Sequence, residues 1–434
     1  MSGATHRAGQ MSADQRFADQ RFAEHLSAIE RWEPVVRALV GWDVEAARRR
    51  AEAAGAGALS GWAIGVKDIL DLSGAPTACG VDFLSPEPRK ASARIVERLQ
   101  EQGAYALAKT VTTCFAYLDP GPTRNPWNPE HTPGGSSMGS AAAVATGMVR
   151  AAIGTQTVGS VCRPASFCGV VGFKPSYGAI STDGCFALVP SFDTVGFFTR
   201  TVEDMTTLWQ AVAPDGASAP SGLSAPDAAQ APVVGIVEDL LSGPFDPEMA
   251  ATLRWAAGRL RACGIPTREL SLPAELAAVY DNNRVIFEVE AARAHAALWT
   301  RHREAYPPKM KAVLESAAAG DSPARYADAC AARADAQERF AALFEDIDVV
   351  LAPAAPGAAP RDLTITGDPR ANLPFTHVRA PVVSLPARLG AGGLPLGLQC
   401  AAPAGSDAAV LAAARAIQDA LRFDAAPPVP RTGG

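Results

Sequence analysis

The stretch TVGSVCRP, residues 157–164, carries the pattern on which the fold and function assignments depend. A serine that directly follows a glycine in a sharp turn can present its hydroxyl outward. The backbone N–H groups around it can then converge on a developing oxyanion. The same residues are also compatible with an ordinary structural turn. The stretch makes Ser160 a candidate nucleophile whose role depends on what the rest of the chain places beside it.

Two earlier stretches supply candidate partners for Ser160. GVKD, residues 65–68, places Lys67 at the end of an apolar run. Burial there would lower the lysine pKa and make a neutral base; a solvent-facing or ion-paired lysine is the alternative. GGSSMGS, residues 134–140, is a Gly/Ser loop that leads into a helix of small residues. It lacks the Gly-Lys-Ser/Thr ending of a phosphate-binding loop, and a tight structural turn is its alternative.

Around these stretches the chain alternates between strand-like and helix-like segments. WAIGVKDIL (62–70) and YALAKTV (105–111) are apolar strand patterns, and SARIVERLQEQG (92–103) between them is an amphipathic helix pattern. Further helical patterns cover 249–263 and 286–346, and further strand patterns cover 382–389 and 393–400. We therefore expect an α/β fold, with a large, mixed, twisted β-sheet covered by helices on both faces.

The segments predict one large domain with short additions at its ends. Residues 1–60 are expected to form an N-terminal helical segment packed on the core, and residues 61–425 the main domain. Residues 213–232, rich in Ala, Pro, Gly and Ser, are expected to form a surface linker or loop. Residues 426–434 are expected to form a C-terminal tail.

Composition and charge exclude several classes of protein. The chain has 434 residues, of which 48% are hydrophobic and 19% charged, enough to bury a large core. From the net charge of -6 we expect no nucleic-acid partner. We see no apolar leader or membrane span, and no CxxC or Cys/His spacing among the eight cysteines. The expectation is a cytoplasmic protein without metal or membrane contact, with a homodimer as the default assembly.

In this order and spacing the three stretches resemble the amidase signature family. Lys67 matches the catalytic lysine of the family's G-[VI]-K-D stretch, and Ser136 matches the first serine of its GGSS loop. Ser160 matches the nucleophile, 24 positions later. Segments 190–205, 348–360 and 393–407 also look like family segments, so the resemblance covers roughly residues 60–420.

The resemblance implies an amidohydrolase that cleaves the C–N amide bond of a small-molecule substrate. Ser160 would attack the carbonyl and pass its proton through Ser136 to neutral Lys67, and water would cleave the acyl-enzyme by the same route. In the family the Ser136 position lies on a cis peptide bond. Gly135 and Ser137 are expected to border the substrate, and no cofactor is required. The oxyanion would contact four backbone N–H groups, those of Thr157, Val158, Gly159 and Ser160.

Two residues beside Ser160 depart from the common pattern of the family. Val158 stands where most members carry glycine, so it would be strained if that position needs a positive φ, or it narrows the acyl pocket. Arg163 precedes Pro164 in a form that resembles the malonamidase-like branch, in which this arginine reads a substrate carboxylate. A structural arginine that binds nearby carbonyls is the alternative. His377 and Arg379 are further candidates for lining the substrate pocket.

Two other functions are compatible with parts of the sequence. Gly135 to Gly139 satisfies G-x-S-x-G, which would make Ser137 the nucleophile of an α/β-hydrolase-type esterase, with Asp348 and His377 as its partners. Alternatively, the chain is the amidase subunit of a tRNA-dependent amidotransferase, where Lys67, Ser136 and Ser160 would release ammonia from glutamine. A scaffold that has lost activity is a third, non-enzymatic alternative.

Overall fold

The apolar strand patterns assemble into one mixed β-sheet, to which eleven strands of the described chain contribute. The computed structural model describes residues 13–214, 231–320 and 323–430, without the side chains of 13–19 and 318–320. The strands are β1 (Leu39–Val40), β2 (Ala63–Lys67), β3 (Tyr105–Thr110), β4 (Ala151–Gln156), β5 (Val171–Lys174), β6 (Thr194–Thr199), β7 (Val234–Ile236), β8 (Thr267–Glu269), β9 (Val349–Pro353), β10 (Val382–Leu389) and β11 (Pro395–Ala401).

Parallel pairing is confined to the two ends of this sheet. Its strand order is β1-β3-β2-β4-β6-β5-β10-β11-β9-β7-β8. The strand β2 runs parallel to β3 and β4, and β7 runs parallel to β8 and β9. The central strands pair antiparallel, and so does β1 with β3. The sheet is therefore mixed, as the sequence predicted.

Helices connect most of the strands. They are α1 (Ala13–Val36), α2 (Val44–Glu52), α3 (Arg94–Glu101), α4 (Met138–Ala145), α5 (Cys162–Cys168), α6 (Val202–Val212), α7 (Pro247–Ala262), α8 (Val279–His302), α9 (Pro308–Gly320), α10 (Pro323–Ala341), α11 (Leu373–His377) and α12 (Asp407–Leu421). No helix in the described ranges is long and apolar enough to cross a membrane.

Successive residues of the strands enter two different apolar cores, because side chains alternate across a sheet. In β2, Ile64 and Val66 belong to a core shared with α3, α6, α7 and α12, whereas Ala63 belongs to a second core shared with α1, α4 and α5. In β4, Ile153 and Ala152 divide in the same way. Helices thus cover both faces of the sheet, and the predicted fold class is confirmed.

The N-terminal segment is more than a helical addition, which corrects the expectation for residues 1–60. Its strand β1 forms one edge of the main sheet, and the Val111 N–H donates to Ala38 O at 2.8 Å. This approach needs Gly139 in α4, since a Cβ there would lie 2.3 Å from Ala38 O. A short strand was missed because two residues carry no alternating pattern.

The predicted linker and the predicted C-terminal tail lie only partly within the described residues. The helix α6 ends at Val212 and β7 begins at Val234, but residues 215–230 of the predicted linker lie outside the described residues. Residues 426–430 of the predicted tail form neither helix nor strand, and residues 431–434 lie outside the described part.

The topology brings the three sequence stretches together at the carboxyl ends of β2 and β4. Because β2 and β4 are parallel, with Val66 beside Ile153, their carboxyl ends lie together. Lys67 ends β2, and the turn at residues 157–160 follows β4 directly. The Gly/Ser loop before α4 covers these strand ends, since Ser137 contacts Thr155 of β4.

Candidate active site

Lys67 lies at the end of β2 with its side chain fully buried. Its Nζ donates hydrogen bonds to Ser136 Oγ and to Thr155 Oγ1, each at 2.8 Å. Neither partner carries a charge that would compensate the burial of an ammonium group. Burial lowers the pKa of Lys67 to about 7, against the opposing influence of Cys185 and Asp193. A large share of Lys67 is therefore the neutral amine near pH 7.

Ser136 stands where the Gly/Ser loop enters α4, after a cis Gly135–Ser136 peptide bond, as the family resemblance implies. The neighbouring Ser137 is fully buried, and its Oγ donates to Thr155 O at 3.2 Å and accepts from Thr155 N at 3.3 Å. This pair of bonds fastens the loop to β4. It also holds the neighbouring Ser136, whose hydroxyl contacts Lys67.

Ser160 lies in the turn between β4 and α5. Gln156, buried at the end of β4, shapes this turn: its Oε1 accepts from the N–H groups of Val161 and Cys162 at 2.9 and 3.0 Å. Within the described residues, no hydrogen bond uses the four backbone N–H groups in between, those of Thr157, Val158, Gly159 and Ser160. These donors remain available to a ligand oxygen.

Arg163 is buried in the first turn of α5, with 2% of the residue exposed. Its Nη2 donates to Gly135 O at 2.8 Å and to Thr366 Oγ1 at 3.2 Å, whereas Nε and Nη1 have no partner among the described residues. Burial lowers the pKa of Arg163 to about 10, so the group remains a cation at neutral pH. A buried cation with two unpaired donors is destabilising unless a further acceptor completes it.

A cavity of about 260 Å³ joins the Ser160 turn to Arg163. This volume lies below the roughly 300–1,000 Å³ of pockets that hold drug-sized ligands. Residues 157–160 form one side of the cavity, and most of the remaining wall is apolar. The other lining residues are Ala116, Tyr117, Leu118, Leu188, Asn283, Arg284, Phe287, Glu288, Val313, Pro369 and Leu373.

Comparison with known proteins assigns the chain to a family. The family model described as Amidase matches residues 22–411. The chain belongs to the amidase signature family. It is an enzyme of the class that acts on C–N amide bonds, and its fold is the amidase signature fold. In the part of the chain that the structure describes, no cluster of His, Cys, Asp or Glu could hold a metal ion.

Relatives of two kinds lie close to the chain within the amidase signature family. A subunit of glutamyl-tRNA(Gln) amidotransferase from Synechococcus sp. (strain WH7803) is 34% identical, over 86% of this chain and 88% of that protein. A crystal structure described as an amidase shares 32% identity and a TM-score of 0.82, over 94% and 98% of the two chains. The same amidotransferase subunit from Thermotoga maritima shares 25% identity and a TM-score of 0.80, over 98% and 96%.

The expectation that the chain has no nucleic-acid partner is wrong. It was based on the net charge, but relatives that match most of the chain are named as subunits of an amidotransferase for glutamyl-tRNA(Gln). Net charge describes the whole surface, whereas the other members of an assembly can supply the contacts to the nucleic acid. An acidic chain is therefore compatible with a tRNA-dependent system.

Two residues predicted to line the pocket of this amidase lie elsewhere. His377 is fully buried, its ring packs 5.7 Å from that of Phe192, and burial lowers its pKa to about 3. The guanidinium of Arg379 lies 4.1 Å over the ring of Tyr177. Neither residue is among those that line the cavity at Ser160.

Gly135 and Ser137 are not among the residues that line the cavity. A Cβ at Gly135 would lie 2.7 Å from Thr366 Cγ2, and Gly135 O accepts from Arg163. Both residues instead hold the loop: Gly135 orients Arg163, and Ser137 orients Thr155.

The structure separates the three residues of the α/β-hydrolase alternative. Ser137 bonds to Thr155 and Asp348 Oδ2 accepts from Val233 N at 2.7 Å, and within the described ranges neither ring nitrogen of His377 has a partner. A nucleophile, its base and an acidic partner must share hydrogen bonds to act together. This alternative is therefore wrong.

Val158 and two residues of α8 also line the cavity of the amidase site. Val158 has no positive φ and borders the cavity, so it narrows the pocket without the strain considered above. From α8, Asn283 and Phe287 line the cavity one helical turn apart, and Asn283 Nδ2 is buried with no partner in the residues that the structure describes. Sequence patterns identify helices of this kind but do not tell which turn reaches a pocket.

We expect a serine-directed phosphonate to label Ser160 and no other serine. Ser160 borders the cavity, whereas Ser137 Oγ is buried and doubly hydrogen-bonded to Thr155. Intact mass and peptide mapping check the site of labelling. The Ser160→Ala variant should stay unlabelled and Ser137→Ala should still be labelled; a label on Ser137 would contradict this arrangement.

Proposed function

We propose that the chain hydrolyses the amide bond of a small substrate through a seryl acyl-enzyme on Ser160. The observation that carries this proposal is the 2.8 Å contact of buried Lys67 with Ser136, at the carboxyl ends of β2 and β4, where the turn that holds Ser160 begins. A neutral amine beside a hydroxyl is a general base, and a hydroxyl can pass a proton between two neighbours.

In the proposed reaction these groups act in turn. Ser160 Oγ attacks the amide carbon while its proton moves to Ser136 Oγ, and the Ser136 proton moves to Lys67 Nζ. The carbonyl oxygen becomes an oxyanion beside the unpaired N–H groups of residues 157–160. Return of the proton through Ser136 expels the amine, and water then cleaves the ester by the same two transfers. Thr155 keeps Lys67 Nζ in place through its second hydrogen bond.

Arg163 supports a substrate that carries a carboxylate. The residue lines the same cavity as Ser160, and its Nε and Nη1 are buried without a partner among the described residues. A carboxylate accepts from two guanidinium nitrogens at once, which would complete the hydrogen bonds of the buried cation. The small cavity and its apolar walls favour a short, linear substrate. We therefore propose a small amide with a carboxylate a few bonds from the scissile carbonyl.

A second candidate function is that of an amidase subunit within a larger amidotransferase. The relatives at 31–34% identity that are named as glutamyl-tRNA(Gln) amidotransferase subunits favour a role as the amidase subunit of such an enzyme over a stand-alone hydrolase. Glutamine carries both a primary amide and a carboxylate, so the Arg163 argument applies to it as well. In that setting the amine expelled from the tetrahedral intermediate is ammonia.

We expect kcat/KM to rise with pH up to about 7 and to level off above it. The relay needs the neutral form of Lys67, which exists above its pKa of about 7 and is lost as pH falls below it. Initial rates from pH 5 to 9 check this. Lys67→Met should lose roughly 100- to 10,000-fold in rate.

Lys174 provides the matched control for this profile. It is also a buried lysine, with a pKa lowered to about 8 by burial, but it donates to Pro175 O and lies outside the cavity. Lys174→Met should keep the rise at about pH 7. A profile that is flat from pH 5 to 9, or one that follows Lys174, would overturn the assignment of Lys67 as base.

We expect Arg163→Met to change substrate preference. Loss of charged hydrogen bonds should lower the ratio of kcat/KM for succinamate over kcat/KM for butanamide by roughly 10- to 100-fold. The two amides share a four-carbon chain and differ in the carboxylate, so any general damage to the site cancels in the ratio. An unchanged ratio would exclude carboxylate recognition by Arg163.

Reconstitution decides whether the chain acts as an amidotransferase subunit or as a stand-alone amidase. An amidotransferase assembled without its own amidase subunit should convert glutamyl-tRNA(Gln) to the amidated product when this chain is added with glutamine. Ser160→Ala in the same assembly is the control and should give no product. Absence of product, together with hydrolysis of short amides by the purified chain, would assign the chain to the stand-alone amidases.

A further inference from the structure

The short helix α11 packs against the turn that holds Ser160. Thr376 of α11 is buried, and its Oγ1 donates to Val158 O at 2.7 Å and accepts from Gln156 Nε2 at 3.0 Å. Asn372, which precedes α11, lies so close to Gly159 that a Cβ there would be 2.4 Å from Asn372 Oδ1. The turn is thus held from one side by two residues one helical turn apart.

These contacts fix the direction of the N–H groups in the turn. In a trans peptide the C=O and N–H of one unit point in opposite directions. Because Val158 O points toward Thr376, the N–H of Gly159 points away from α11. Gly159 O accepts from the N–H of Arg163 at 3.0 Å, so the N–H of Ser160 points away from α5. Both donors lie in the turn that borders the cavity.

Gln156 holds the same turn from its own strand. Its Nε2 donates to Thr376, while its Oε1 accepts from the N–H groups of Val161 and Cys162. One buried amide thereby connects the start of the turn, the start of α5 and the hydroxyl of Thr376. This hydrogen-bonded connection is continuous from Gln156 through Thr376 to Val158 O, and the side chains of Gln156 and Thr376 lie outside the lining of the cavity.

We propose that Thr376 is a positioning residue for the oxyanion hole, acting through its hydrogen bond to Val158 O. This inference rests on the proposed role of residues 157–160 in binding the oxyanion. Without the hydroxyl, the Val158–Gly159 peptide unit loses the hydrogen bond that fixes its orientation, and the Gly159 N–H is less well aligned with the substrate oxygen. The loss concerns the transition state, in which the oxygen carries its charge, more than the bound substrate.

Thr376→Val is the variant that tests this role, since valine has nearly the shape of threonine and lacks the hydroxyl. We expect kcat to fall by roughly 10- to 100-fold with KM for succinamate within about twofold, because removal of an oxyanion donor itself costs about 100- to 1,000-fold. Thr376→Ser keeps the hydroxyl and should retain most of the activity. Thr376→Ala, which removes the hydroxyl without a β-branch, replaces Thr376→Val if that variant does not fold.

A transition-state probe separates this role from a purely structural one. Succinate semialdehyde, the aldehyde counterpart of succinamate, takes up Ser160 Oγ at its carbonyl carbon, and the carbonyl oxygen becomes the hemiacetal oxygen in the oxyanion hole. Across Thr376→Ser, Thr376→Ala and Thr376→Val its inhibition constant should rise in parallel with the fall in kcat/KM. A structural defect would instead change KM and the inhibition constant together.

Thr199→Val is the matched control. Thr199 is buried at the end of β6, its Oγ1 donates to Thr201 O at 2.7 Å, and it lies outside the cavity wall. This variant should keep wild-type kcat. If Ser160→Ala abolishes turnover but Thr376→Val keeps the wild-type kcat, the role of Thr376 is overturned and the proposed function stands. Turnover in Ser160→Ala would instead overturn the proposed function.

Discussion

The burial of Lys67, which has no ionic partner in the described part of the chain, is the constraint on which the rest of the site depends. A lysine in this position is unfavourable as a cation, so the fold stabilises the neutral amine and creates a base near pH 7. The other buried lysines are handled differently. Lys109 forms an ion pair with Asp68 at 3.0 Å, and Lys174 donates to a backbone carbonyl. Among the three, Lys67 alone contacts two serine or threonine hydroxyls.

The architecture supplies this burial in a direct way. Parallel pairing of β2 with β4 places Lys67 beside the Ser160 turn, and the all-buried helix α4, made of small residues, lies close enough to bring Ser136 onto Lys67. The substrate side of the site is built from other elements. Arg163 comes from α5, and Asn283 and Phe287 come from α8, which packs against α10 and α11. Recognition therefore draws on α5, which directly follows the Ser160 turn, and on the distant helix α8.

The sequence predicted the fold class and the placement of Lys67, Ser136 and Ser160, because each belongs to a short, contiguous stretch with its own strand or loop pattern. It was wrong about His377 and Arg379, since a residue's distance from the pocket depends on how α11 packs and not on its neighbours in sequence. Contacts such as those of Thr376 with Val158, more than two hundred residues apart, arise only from tertiary packing. The two-residue strand β1 was too short to leave a pattern.

Direct titration of Lys67 tests the central claim. The chain contains only six lysines, so protein labelled with carbon-13 at the lysine Cε gives few resonances, and the Lys67→Arg variant identifies the one that belongs to Lys67. We expect this resonance to titrate with a pKa of about 7. A pKa near the ordinary lysine value of about 10.4 would show that Lys67 is a cation at neutral pH and would contradict its role as base.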